Sequence, residues 1–210
     1  MNHGLHIVLL GPDGCGKSTL LPLLQERLCA HFTGTDLYHW RPKVFADAGV
    51  VAGARKATTG PSTDPHGQPP HGTLLSLARL SYYLLDYLLG AFPIRRAKKE
   101  GRLVIFDRYA PDMAVDPRRY RFHLPQAILW LASRFTPSPD IGFILLTDPE
   151  VLYARKREVP LEALRPLVAN YRAIADRNSA YQVIDCSKPP SEVADEIVGK
   201  ILALLKTRKR

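Results

Sequence analysis

Residues 5–29 read LHIVLLGPDGCGKSTLLPLLQERLC, and this stretch decides the fold. A run of strand length, 5–10, enters Gly11-Pro12-Asp13-Gly14-Cys15-Gly16-Lys17-Ser18, after which leucines recur at helical spacing as far as Cys29. The octapeptide satisfies G-x-x-x-x-G-K-[ST], and strand before with helix after is the setting in which that pattern forms a phosphate-binding loop, or P-loop. Glycines at 11, 14 and 16 let backbone N–H groups curl inward around phosphate oxygens, and the first helical turn adds unpaired donors and a positive dipole end. The loop predicts ATP held by Gly11, Asp13, Gly14, Cys15, Gly16, Lys17, Ser18 and Thr19. Lys17 is expected at the β- and γ-phosphates as a catalytic cation, and the Ser18 hydroxyl on a Mg²⁺ ion bridging them. Cys15 reads as a small loop residue.

Outward from the loop, short apolar runs alternate with helical patterns. Strands are expected at 37–40, 102–106, 141–146 and 181–184, and helices at 73–90, 123–135, 149–157, 161–177 and 191–205. The fold class is therefore α/β: a five-stranded parallel sheet with helices on both faces, in a single domain over 1–210. GPSTDPHGQPPHG at 60–72 has four prolines and no apolar periodicity, so a mobile loop is expected over about 47–72, with His66 and His71 solvated within it. Residues 153–165 read as a short lid. Ligands of such sheets sit beyond the carboxyl ends of the strands, so residues 11–18, 39–41 and 107–109 should converge on one site.

Composition narrows the function classes. Hydrophobic residues at 46% and charged residues at 23% suit a globular chain, and the longest apolar stretch, 80–94, is broken by Asp86, Gly90 and Pro93 and is too short to cross a bilayer. No membrane partner is expected. The N-terminus enters the first strand without a basic leader, which predicts a cytoplasmic protein. Cys15, Cys29 and Cys186 lie far apart and read as reduced thiols. The net charge of +9 suits either nucleic acid or small polyanionic substrates. An aromatic-basic RNA motif and the N-K-x-D guanine signature are both missing, which favours the small substrates. Lys206, Arg208, Lys209 and Arg210 read as a frayed, solvated end.

Asp107 ends the apolar run of the third strand and has the setting of a second, water-mediated Mg²⁺ contact. A hydrolase would want a carboxylate beside it to activate water; Arg108 stands there instead, which suits an acceptor phosphate. Arg118, Arg119 and Arg121 either add phosphate contacts or solvate a loop.

GPDGCGKST at 11–19, LLSLARLSYYLLDYLLG at 74–90, VIFDRY at 104–109, DPEVLYARKRE at 148–158 and VIDCSKPPSEV at 183–193 follow one another in an order and spacing that resemble the thymidylate kinases, which are P-loop nucleoside monophosphate kinases. The resemblance covers nearly the whole chain and implies a P-loop NTPase fold and Mg²⁺-dependent transfer of the ATP γ-phosphoryl group to dTMP. It also implies that Asp13 meets the acceptor sugar hydroxyl, that Arg108 holds the acceptor phosphate as a catalytic residue, and that Arg79 lines the acceptor pocket. Arg41 stands in for the arginine of the family's R-E-P motif, although the sequence here is His39-Trp40-Arg41-Pro42. The P-loop carries no arginine, so the catalytic charge on the transferring group would come from the lid, from Arg155 and Arg157 with Lys156; Arg155 would then also touch ATP. The loop 187–190 would lie against adenine. A homodimer through helix 74–90 is a further implication, which the sequence equally allows to be core. The missing R-E-P motif, the added loop and the lack of a Ser after Tyr109 leave a second reading open, a P-loop kinase of a non-nucleotide metabolite.

Overall fold

The computed structural model describes residues 4–45 and 69–208. Most of the proline-rich segment, including His66, therefore lies outside the described residues, as do Lys209 and Arg210. Five strands, β1 (Leu5–Leu10), β2 (Thr35–His39), β3 (Leu103–Asp107), β4 (Ile141–Leu146) and β5 (Tyr181–Asp185), form one parallel sheet in the order β2-β3-β1-β4-β5. The helices are α1 (Lys17–Leu28), α2 (Thr73–Lys99), α3 (Asp112–Val115), α4 (Gln126–Ser133), α5 (Pro149–Arg155), α6 (Leu161–Arg177) and α7 (Pro190–Arg208).

Alternate residues of the central strands feed two cores. Leu5, Ile7 and Leu9 of β1 pack with Leu20 and Leu24 of α1 and with Ile197 and Ile201 of α7, whereas Val8 and Leu10 face Tyr87 of α2, Leu129 of α4 and Tyr171 of α6. Burial on both faces explains why β1 and β4 read as continuous apolar runs instead of alternating ones. No helix among the described residues is long and apolar enough to cross a membrane.

Two helix ends differ from expectation for identifiable reasons. α2 does not stop at Gly90 but continues through Pro93 to Lys99. Proline removes one helical hydrogen bond, a cost that the burial of Ile94 and Ala97 beyond it offsets. The stop signal is Gly101: at φ 75° it lets Gly101 N–H donate to Lys98 O and Arg102 N–H to Ala97 O, the paired bonds of a Schellman cap, after a last turn rich in cations. α7 likewise runs on to Arg208, so the described part of the end is helical and not frayed; Arg208 is exposed and pairs with Asp140 at 2.8 Å. α3, directly after β3, has no counterpart among the expected elements.

Gly90 has a different purpose from a helix stop. A β-carbon there would lie 2.3 Å from the Pro42 ring, so its bare backbone is what lets the chain leaving β2 cross α2. Alanine gains about 1 kcal/mol over glycine in a helix, but overpacking against a rigid ring costs about 1–3 kcal/mol. Gly90→Ala is therefore expected to lower the midpoint of urea denaturation; a raised midpoint would show that the crossing yields.

Candidate functional site

The loop between β1 and α1 owes its shape to glycine at three left-handed positions, with φ of 142° at Gly11, 84° at Gly14 and 89° at Gly16. A β-carbon on Gly11 would stand 2.6 Å from Leu145 O, and one on Gly14 2.9 Å from Leu152 O, so β4 and α5 hold the loop from outside. Gly16 caps α1 without any side-chain hydrogen bond, which leaves the first-turn donors of the helix open to an anion. Lys17 is buried and folded back, its Nζ donating to Gly11 O at 2.7 Å and Pro12 O at 3.0 Å, with Cys15 Sγ at 3.3 Å. Ser18 and Thr19 are exposed beside it.

β3 delivers the acidic partner. Leu9 is paired in register with Asp107, and His39 of β2 with Asp107 on the other side, so all three strand ends meet. His39 Nδ1 lies 3.1 Å from Asp107 Oδ2, while the buried Oδ1 has no partner among the described residues. Burial raises the Asp107 pKa, but the His39 hydrogen bond and the nearby Lys17 and Arg108 outweigh it and hold the group ionised. An orphaned carboxylate oxygen at the end of β3 and an exposed Ser18 hydroxyl in the loop after β1 are groups that suit a Mg²⁺ ion, which commonly takes one or two protein ligands and rests otherwise on phosphates and water.

Arg108 follows with φ 69° and its N–H on Leu9 O at 2.9 Å; Trp40, at the end of β2, has φ 65° and donates its N–H to Asp107 O at 2.8 Å. Bulky residues in this left-handed region cost about 1–2 kcal/mol each, and here both sit directly after strand ends, where the chain turns. The turn carries the Arg108 guanidinium to Asp13 Oδ1 at 2.7 Å. Asp112, the first residue of α3, steadies it: Asp112 accepts from Tyr109 N–H and Tyr171 O–H and lies 3.5 Å from Arg108 Nη1. Arg119 reaches the other oxygen of Asp13, so one carboxylate joins two guanidinium groups.

Arg119 was one of three arginines left open between a phosphate contact and a solvated loop, and Asp112 was not among the residues expected at the site. The run RRYRF at 118–122 signalled a cationic, aromatic loop but not which arginine turns inward. Arg118 is exposed, Arg121 donates Nε to Pro69 O, and Arg119 alone of the three meets Asp13.

Arg79 of α2 donates two nitrogens to Tyr83 Oη and lies over the Tyr83 and Phe122 rings, within an aromatic wall completed by Trp40 and Tyr120 stacked at 4.6 Å. Arg41 is not brought to this open face. Its guanidinium is 1% exposed, bonded to the buried Asp86 at 2.7 Å and packed 5.0 Å from the Tyr83 ring centre. Pro42 crosses α2 at Gly90, which carries Arg41 inward.

On the opposite flank, the end of α5 packs against the P-loop, with Arg155 Cβ 3.7 Å from the point where a Gly14 β-carbon would stand. Arg155 donates to Cys186 O at 2.9 Å and approaches Ser187 O, tying the expected lid to the loop after β5. Arg157 lies over the Tyr153 ring, 5.7 Å from its centre.

No family model matches the chain. Over 221 aligned residues it is 24% identical to the thymidylate kinase of Malacoplasma penetrans (strain HF-2), with 96% of this chain and 97% of that protein covered. That distant, nearly end-to-end likeness suggests a nucleotide kinase.

Two outcomes follow from the ion pairs. Burial raises the Asp13 pKa, yet Arg108, Arg119 and Lys17 together bring it from an ordinary 3.8 to about 2. A depressed carboxylate stabilises the fold above its unfolded pKa, so Asp13→Asn should lose about 2 kcal/mol at pH 7, with the gap to the parent closing as pH falls from about 4 through 2. Urea denaturation of both proteins across that range measures it. Arg41→Ala leaves Asp86 charged and buried, which costs about 3–5 kcal/mol; a large drop in melting temperature is expected, and an unchanged one would return Arg41 to the open site.

Proposed function

We propose that this protein transfers the γ-phosphoryl group of ATP to a nucleoside monophosphate, with dTMP the first acceptor to test. The observation that carries the reading is the meeting of the P-loop, through Asp13, with Arg108 beside Asp107 at the carboxyl ends of β1 and β3; the nearly full-length likeness to a thymidylate kinase supports it.

In this reading Gly11, Asp13, Gly14, Cys15, Gly16, Lys17, Ser18 and Thr19 surround the ATP phosphates. Lys17 exchanges the carbonyls of Gly11 and Pro12 for β- and γ-phosphate oxygens. Ser18 and Asp107 would hold Mg²⁺, which when bound offsets charge between the terminal phosphates. Arg108 binds the acceptor phosphate, Asp13 the acceptor sugar, and Arg79 the far side of the acceptor pocket. Arg155 and Arg157 approach from the lid, 153–165, as charge builds on the transferring group. Catalysis is then chiefly positioning and charge stabilisation with water excluded.

One observation keeps the non-nucleotide metabolite as a second reading. Trp40 and Tyr120 stack face to face, so a base finds no gap between these two rings and must lie elsewhere along the wall.

An ADP-release assay with ATP and Mg²⁺ against a panel of nucleoside monophosphates tests the proposal. Turnover with dTMP is expected, with Lys17→Ala and Asp107→Asn each lowering kcat by about 10²-fold or more. ATP binding without turnover on any nucleotide would move the acceptor to the second reading.

A further inference from the structure

Three features of the 116–122 turn remain unused by the function above. Arg119 is three-quarters buried, with 22% of its side chain exposed, and commits one nitrogen to Asp13 out of a planar fork of five N–H donors. Tyr120 is 8% exposed, yet its hydroxyl has no hydrogen-bond partner among the described residues. That hydroxyl lies within electrostatic reach of Arg108, Arg119, Asp112 and Asp116. Buried hydroxyls are nearly always satisfied, so an orphan beside two guanidinium groups points to a ligand atom that completes it.

Arg41, expected from the sequence as an acceptor-binding cation, is closed off, since it is held by Asp86 and packed against three aromatic rings. Arg108 and Arg119 repel one another, and the Asp13 carboxylate between them fixes their spacing. Two guanidinium groups converging on one carboxylate match the geometry of a doubly charged phosphate, which offers three oxygens to the same donors.

We infer that Arg119, with the Tyr120 hydroxyl, is the second half of the acceptor-phosphate site, pairing with Arg108 to take the acceptor as a dianionic phosphate monoester. The inference rests on the phosphotransfer reading for the identity of the acceptor, but the anion site itself does not depend on the nucleotide. Asp13 holds the two arginines in register until the phosphate arrives, and then shares them or swings toward the rest of the acceptor.

Calorimetric titration of the full chain, with the P-loop filled by ADP and Mg²⁺, tests this with dTMP, thymidine and inorganic phosphate as probes. Arg119→Ala is expected to weaken both dTMP and phosphate about tenfold to a hundredfold, as loss of a charge-assisted bond does. Thymidine should bind as before, and Arg119→Lys should recover part of the loss. Tyr120→Phe removes only the hydroxyl and should weaken both anions several-fold; together with Arg119→Lys it carries the test if Arg119→Ala fails to fold, which thermal melting reports. Unchanged dTMP and phosphate affinity in the folded variants overturns the inference, as does an equal loss of thymidine. A parent protein that binds phosphate through Arg119 but not dTMP sinks the nucleotide reading and leaves the anion site standing; a parent that binds neither anion sinks the site.

Discussion

Parallel pairing of β1 with β3 is the constraint on which the site depends. Because Leu9 stands opposite Asp107, the two strands end together, and the residues that follow each of them must share the same crevice. The Arg108 N–H on Leu9 O continues that ladder by one more bond, into a left-handed residue that turns the side chain toward the P-loop. β2 joins on the far side of β3 in the same register, so His39 and Trp40 arrive at that edge too. A slip of one residue would send Asp107 to the opposite face of the sheet and dissolve the arrangement.

Electrostatics then divides the crevice into two environments. Around the P-loop, cations are partly satisfied by groups they can exchange: Lys17 sits on backbone carbonyls, and Arg108 and Arg119 on a single carboxylate. Deeper in, Asp112 and Arg41 are fully buried and paired, and their work is structural. Burial raises the Asp112 pKa despite Arg108 nearby, whereas Asp13, nearer the surface and between cations, falls. The contrast follows from distance to water, since desolvation grows faster with depth than the pull of one neighbouring charge.

Much of this was legible in the sequence. The P-loop, all five strands to within two residues and the helices at 161–177 and 17–28 follow from apolar runs, leucine spacing and glycine placement, all of which act over a few residues. Gly90 misled because a glycine in a helix is locally a stop, while its reason here is the passage of Pro42, 48 residues earlier in the chain. Arg41 misled in the same way: nothing local announces that Asp86 waits for it in the core.

By itself, then, the sequence determined the α/β class, the parallel sheet and the phosphate-binding loop, because each is written in short-range periodicity and backbone sterics. Only the tertiary structure decided that Arg119 and not Arg41 stands beside Arg108, and that Asp107 keeps one carboxylate oxygen unpartnered among the described residues. Those choices are made where distant segments meet: a guanidinium's role is set by which carboxylate it finds and how much water remains around the pair, and neither is encoded within a few residues of the arginine.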